Sequence, residues 1–182
     1  ERLLREGETV ADDILRGASP SQAMPWLDGM LGSGLRILPG SILGEERGLT
    51  WDELVGIRLD RKNPWFQKYT EFAKAPVQRS AGRFPVSHGT LHGPSDMVAM
   101  LRGHSQSILD LVAEPARSSE LLWRMGSIFR EITEAVWQYI PPFHGGYFDA
   151  QYQLWSPGPI IRMQEDATGL YSPRLYRQFL QP

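Results

Sequence analysis

Two clusters of side chains in this 182-residue chain have the types and spacing for chemistry. The first is the stretch S-H-G-T-L-H-G-P-S-D at residues 87–96, where His88 and His92 stand four apart among glycines and Asp96 opens the next segment. Imidazole titrates near neutrality and its neutral nitrogen coordinates cations, so such a pair can shuttle a proton or hold a metal. Gly89 and Gly93 mark a loop rather than a helical H-x-x-x-H, and the glutamate of H-E-x-x-H is missing, which argues against a metalloprotease. The plainer alternative is that Asp96 caps the following helix and the histidines are hydrogen-bonded loop residues. The second cluster is Arg162, Met163, Gln164, Glu165 and Asp166. Here a carboxylate could orient a substrate, act as general base or hold a metal. Alternate members of a strand point to opposite faces, so Arg162, Gln164 and Asp166 would lie opposite Met163 and Glu165. The alternative is a turn in which Asp166 bonds its own backbone ahead of Gly169. Tyr147, Phe148, Tyr152 and Trp155 sit in a loop punctuated by Gly and Pro, either a lid over a ligand or a packed plug.

These groups need elements to position them. Leu3, Leu4, Val10, Ile14 and Leu15 predict a helix over residues 1–15, and a short helical stretch reopens at Ser19-Pro20. Large apolar side chains from Met24 to Leu31 run into a glycine stop at Gly32 and Gly34. Residues 35–43 read as an interrupted strand pair. Asn63-Pro64 supplies a cap and a first-turn proline to a helix carrying Trp65, Phe66, Tyr69 and Phe72. Residues 83–89 are β-like and lead through a loop into a helix from Gly93 to Gly103. A longer helix spans about 115–140 and stops at Pro141-Pro142. Residues 160–164 read as a further strand, and Ser172-Pro173 caps a last helix.

Strand, loop and helix in alternation build parallel α/β proteins. An open doubly wound sheet fits the length, but no G-x-G-x-x-G or P-loop motif occurs. A (β/α)8 barrel needs ~250 residues, more than this chain holds. In either layout the working residues lie on loops at the carboxyl ends of strands.

Composition narrows the function classes. Hydrophobic residues make up 41 % and charged residues 22 %, the proportions of a folded domain. With 19 basic and 21 acidic residues the net charge is -2 and neither sign is massed, so nucleic acid and anionic membranes are not expected partners. No apolar run approaches the ~20 residues that span a bilayer, and no basic-then-apolar leader is visible, so the chain reads as cytoplasmic. Zero cysteines exclude disulfides, thiolate zinc sites and a cysteine nucleophile from these residues. No G-x-S-x-G elbow supports serine hydrolysis. The start at Glu1 and the finish in Leu180-Gln181-Pro182 read as the edges of a piece.

The segments G-P-S-D-M-V-A-M-L-R-G (93–103), I-L-D-L-V-A-E-P (108–115), Q-E-D-A (164–167) and S-P-R-L-Y-R-Q-F-L-Q-P (172–182) resemble the uroporphyrinogen decarboxylase superfamily, which includes corrinoid-linked methyltransferases. The similarity runs from about Met24 to the last residue, and the S-P-x-x-Y-x-x-F-x-x-P ending is its most specific element. The resemblance implies an α/β fold, a partial (β/α)8 TIM barrel. This would be its first half with an amino-terminal helical extension: 1–75 as extension and first barrel elements, 76–182 as central β/α units. It departs from the decarboxylases at Met100, where they carry a tyrosine, and lacks their arginine-rich amino-terminal motif, for which Arg36 is a poor match. Their Phe-Asp-Ser becomes Gln164-Glu165-Asp166.

A tetracarboxylate porphyrinogen needs cations that this half barely supplies. The expected function is therefore an enzyme acting on a small molecule at the barrel mouth, nearer to corrinoid-linked methyl transfer. The alternatives are porphyrinogen decarboxylation by a divergent site and a non-catalytic tetrapyrrole or corrinoid module. His88, Glu165 and Asp166 are the catalytic candidates, and His92, Asp96, Tyr147, Trp155, Arg162 and Gln164 the substrate-binding ones. A zinc ion, if used, would be held by a second half with His-x-Cys and a further cysteine, and a corrinoid would be a co-substrate. A homo-oligomer, or a second chain completing the barrel, would cover the apolar surface after the last helix.

Overall fold

The computed structural model describes residues 17–20 and 24–181. The helix expected over residues 1–15 lies outside the described residues, as does most of the stretch expected to follow Ser19-Pro20. The chain forms two compact units with interleaved sequence. The first holds the described residues of 1–22 together with 67–90 and 133–162, and the second those of 23–66 together with 91–132 and 163–182.

The second unit begins with helix α1, Trp26–Met30, which is buried throughout. Gly32, at φ +85°, ends it in a Schellman motif: Ser33 N–H donates to the Asp28 carbonyl at 2.8 Å and Gly32 N–H to the Gly29 carbonyl at 3.1 Å. A side chain at Gly29 would run into the Trp65 indole, so the glycine lets the ring close on the helix. The expected strand pair follows as an antiparallel hairpin of β1, Leu35–Leu38, and β2, Ser41–Gly44. Its turn has proline first and Gly40 second at φ +77°, the chemistry of a type II turn. Thr50 and Glu53 then form a capping box that starts α2, Trp51–Val55. The box is written in the sequence as T-W-D-E, a signal of its own for this helix. Asn63 caps α3, Pro64–Ser80, by accepting from Trp65 N–H at 2.8 Å, as its Asn-Pro start predicts.

Strand β3, Leu91–His92, leads into α4, Pro94–Arg102. Gly103 at φ +97° breaks the backbone between α4 and α5, His104–Ala113, and α6, Pro115–Trp137, follows. The core of this unit is carried by Leu27, Leu54, Met97, Leu101, Met125 and Ile132, each almost fully buried. Only Met163–Gln164 of the strand expected at 160–164 pairs with another strand. This segment, β6, lies parallel to β3 in the register Leu91↔Met163 and His92↔Gln164. A 3-10 turn, Asp166–Leu170, leads to α7, Pro173–Phe179, whose Ser172 hydroxyl accepts from Leu175 N–H as its sequence predicts.

In the first unit the β-like segment at 83–89 contributes one parallel bridge, Val86 to Ala18. The aromatic loop is a hairpin of β4, Tyr147–Asp149, and β5, Leu154–Ser156. Asp149, nearly buried, folds its corner by accepting from the N–H groups of Gln151 and Tyr152. Among the described residues the strands form three two-stranded sheets, and no helix is long and apolar enough to cross a membrane.

Candidate functional site

The carboxyl ends of β3 and β6 coincide, because His92 and Gln164 are register partners and each is the last residue of its strand. Residues just beyond two aligned strand ends enter the same space, and here one exit carries Asp96 and the other Glu165 and Asp166. Gly93 N–H donates to the Gln164 carbonyl at 2.6 Å, locking the two exits together. A side chain at Gly93 would collide with the Glu165 carboxylate, so the glycine permits this approach.

Glu165 reaches the first turn of α4, where its Oε2 accepts from Ser95 N–H at 2.9 Å and from the Ser95 hydroxyl. Asp96 reaches the other way. Its two oxygens accept from Asp166 N–H at 3.0 Å and Ala167 N–H at 2.6 Å, closing the start of the 3-10 turn. Asp96 thus caps, but it caps the later element rather than its own helix. Gln164 donates through Nε2 to Asp166 Oδ2 at 2.7 Å. His92 completes the group, with Nδ1 at 3.3 Å from Oδ1 of Asp28 in α1.

Burial pushes the carboxyls of Asp96 and Glu165 above the usual range. At Asp96 the two backbone N–H bonds and His92 oppose that rise, and at Glu165 the two bonds from Ser95 do so. His92 is moved up, chiefly by its bond to Asp28, against burial and with the charges of Asp96 and Asp166 adding to it. The Tyr171 hydroxyl is pushed up to about 12 by burial and then by Glu165 and Asp96. The cluster therefore combines an imidazole biased toward its charged form with carboxyls biased toward their neutral form. Titratable groups shifted in these directions are candidates for proton transfer.

The remaining sequence candidates lie in the first unit, and His88 differs most from the expectation of a cleft-facing histidine. It is 4 % exposed. Its Nε2 faces the Thr133 carbonyl at 3.1 Å, which can only accept, so Nε2 carries the proton and Nδ1 accepts from the Tyr69 hydroxyl at 3.0 Å. Trp137 stands edge-on to the ring at 5.3 Å. Burial lowers the His88 pKa to about 4, opposed by its bond to Thr133. The ring is a neutral, fully bonded core group with no face turned to a ligand.

Arg162 donates to Thr90 Oγ1 at 3.2 Å and to Gln151 Oε1, and lies over the Tyr152 ring at 4.8 Å. Tyr147 and Trp155 belong to the β4–β5 hairpin, where Tyr147 pairs with Ser156 and Trp155 with Phe148. Trp155 stays 46 % exposed.

The structure thus gathers His92, Asp96, Gln164, Glu165 and Asp166 in one unit and holds His88, Tyr147, Trp155 and Arg162 in the other. It adds Asp28, Ser95 and Tyr171, which the sequence patterns do not single out. Asp28 had a signal, being the one charge within the apolar run from Met24 to Leu31 that fills a buried helix. Ser95 and Tyr171 had none beyond nearness to candidates. Among the described residues no three His, Asp or Glu side chains converge as metal ligands. Comparison with protein-family models, with curated proteins and with solved structures finds no match.

Proposed function

We propose that this chain is part of a (β/α) barrel enzyme similar to the uroporphyrinogen decarboxylase superfamily, acting on a small molecule at the carboxyl ends of β3 and β6. Corrinoid-linked methyl transfer is favoured over porphyrinogen decarboxylation. The observation that carries the reading is the aligned exit of two parallel strands into His92, Asp96, Glu165 and Asp166. Parallel strands joined through helices are the unit from which such barrels are built, and their working residues lie at this end.

The chemistry of the cluster supports the preference. Three carboxyls, those of Asp28, Asp96 and Asp166, act on one imidazole, and Glu165 lies beside Asp96. A polycarboxylate substrate would meet like charge here, whereas a neutral or cationic one would not. A corrinoid co-substrate would supply the methyl group. The chain's own part would be to take the proton that a thiol or similar acceptor loses as its sulfur becomes nucleophilic, with His92 or Glu165 receiving it.

The test is to incubate the chain with methylcobalamin and a small thiol and follow both the cobalamin absorbance and the methylated thiol. Turnover that falls at least tenfold in Glu165→Gln supports the reading. No turnover, or turnover equal in native and Glu165→Gln protein, would overturn it, as would loss of carboxylates from uroporphyrinogen under the same conditions.

A further inference from the structure

Resting on the reading of the β3–β6 ends as a small-molecule site, we propose that Asp28 is the positioning residue for His92. It grips the imidazole through Nδ1 so that Nε2 is the atom that exchanges a proton with the ligand.

Three observations meet here. The first is the burial of the carboxylate. Asp28 is 4 % exposed, and a carboxylate so enclosed is costly unless it is partnered. The partner its side chain has is His92 Nδ1, at 3.3 Å. The separation is longer than the 2.7–2.9 Å typical of charge-assisted bonds, and catalytic hydrogen bonds are often long in ligand-free proteins.

The second observation is that the carboxylate has one seat. Its backbone lies in α1, whose end is fixed by the Schellman motif at Gly32 and by Asn63 Nδ2, which donates to the Gly29 and Met30 carbonyls. The backbone of Gly44 in β2 lies directly against the carboxylate, and any side chain at 44 would occupy the same space. Two separate elements therefore hold Asp28 where it meets the ring.

The third is the asymmetry of His92. The side chain is 35 % exposed, with one edge turned inward to Asp28 and the rest reaching the carboxylate-lined end of the strands. Among the described residues no group bonds Nε2. The charges that face the ring are all carboxylates, Asp28 from α1, Asp96 from α4 and Asp166 from the 3-10 turn. A carboxylate can only accept, so Nδ1 carries a proton in both ionisation states. The neutral ring then offers Nε2 as a base, and the charged ring offers Nε2–H as an acid. This is the division of labour of a carboxylate–imidazole pair: one group orients and stabilises the charge while the other transfers the proton.

The experiment is nitrogen-15 NMR of the histidines in the full 182-residue chain, without ligand. In the native protein at alkaline pH, His92 is expected as the Nδ1–H tautomer, and its midpoint is expected above 6.5. A dominant Nε2–H tautomer would overturn the proposal without recourse to any variant. Asp28→Asn is expected to lower the midpoint, with the far-ultraviolet circular dichroism unchanged. A folded Asp28→Asn protein with an unmoved midpoint would also overturn it. Both readings are made without substrate. Failure of methyl transfer would therefore sink the function proposed above and leave the pair standing, while the wrong tautomer would sink the pair and leave that function standing.

Discussion

Acidification should destabilise this protein through His88, a residue that the position of the two histidines would assign to catalysis. Its ring is neutral, its Nε2–H is committed to the Thr133 carbonyl and its Nδ1 to the Tyr69 hydroxyl. Tyr69 and Thr133 are themselves almost wholly buried. Protonation would put a charge in this enclosure and turn an acceptor nitrogen into a second donor facing a hydroxyl. The folded ring titrates at about 4 against an ordinary 6.5 in the unfolded chain. Between those values the unfolded state binds a proton that the folded state refuses, so stability falls as the pH falls. At ~1.4 kcal/mol for each pH unit, the loss attached to this one ring is about 3 kcal/mol, a large share of the ~5–15 kcal/mol that holds a domain together. The assay is urea unfolding followed by tryptophan fluorescence at neutral pH and at pH 4, in native protein and in His88→Gln. Glutamine keeps a donor for Thr133 and cannot be charged, so the variant should start less stable and lose about 3 kcal/mol less on acidification. Equal losses in the two proteins would refute the assignment of the acid sensitivity to His88.

Three further perturbations have defined outcomes. Gly29→Ala gains up to ~1 kcal/mol of helix propensity but drives a methyl group into the Trp65 ring, so a net destabilisation of ~1–3 kcal/mol is expected in thermal or urea unfolding. Glu165→Gln should bring the Tyr171 hydroxyl down from about 12 while leaving it above 10, because burial is the larger cause and the Glu165 charge the next; ultraviolet tyrosinate absorbance reads it. Ser172→Ala removes the side chain that accepts from Leu175 N–H at the start of α7 and should cost ~1 kcal/mol of stability, with Ser172→Gly costing less.

Local chemistry made several elements legible. Asn63-Pro64 and Ser172-Pro173 announce their helices because a capping side chain and a first-turn proline act within three residues. Pro39-Gly40 announces a turn for the same reason. The aromatic hairpin was not legible as a hairpin, since its corner is made by Asp149 accepting from two backbone N–H groups rather than by an Asn-Gly or Gly-Gly pair. At the site, the pairing of segments 70 residues apart was readable only as two separate strand ends. The bonds of Asp96 to 166 and 167, and of Glu165 to Ser95, are tertiary. A helix-opening Asp looks like a local cap in sequence, and nothing within four residues says that its oxygens close a turn elsewhere.

The two histidines in S-H-G-T-L-H-G have opposite fates because their neighbours differ in what they can accept or donate. His88 meets a carbonyl and a hydroxyl without any charge, so burial governs it and keeps it neutral. His92 is less enclosed and meets three carboxylates, so charge outweighs burial and favours the imidazolium. Their linkage to stability is opposite as well. The contribution of His88 is present above 6.5 and lost toward 4, whereas that of His92 is present below 6.5 and lost as the pH rises through its raised folded value. Asp96 and Glu165, raised by burial, bind protons more readily when folded and so oppose the acid loss from His88. These carboxyls are only half-buried and solvent screens them, so the enclosed ring decides the acid limb. Maximum stability should therefore fall between the acid loss of the His88 contribution and the loss of the His92 contribution above its raised folded value.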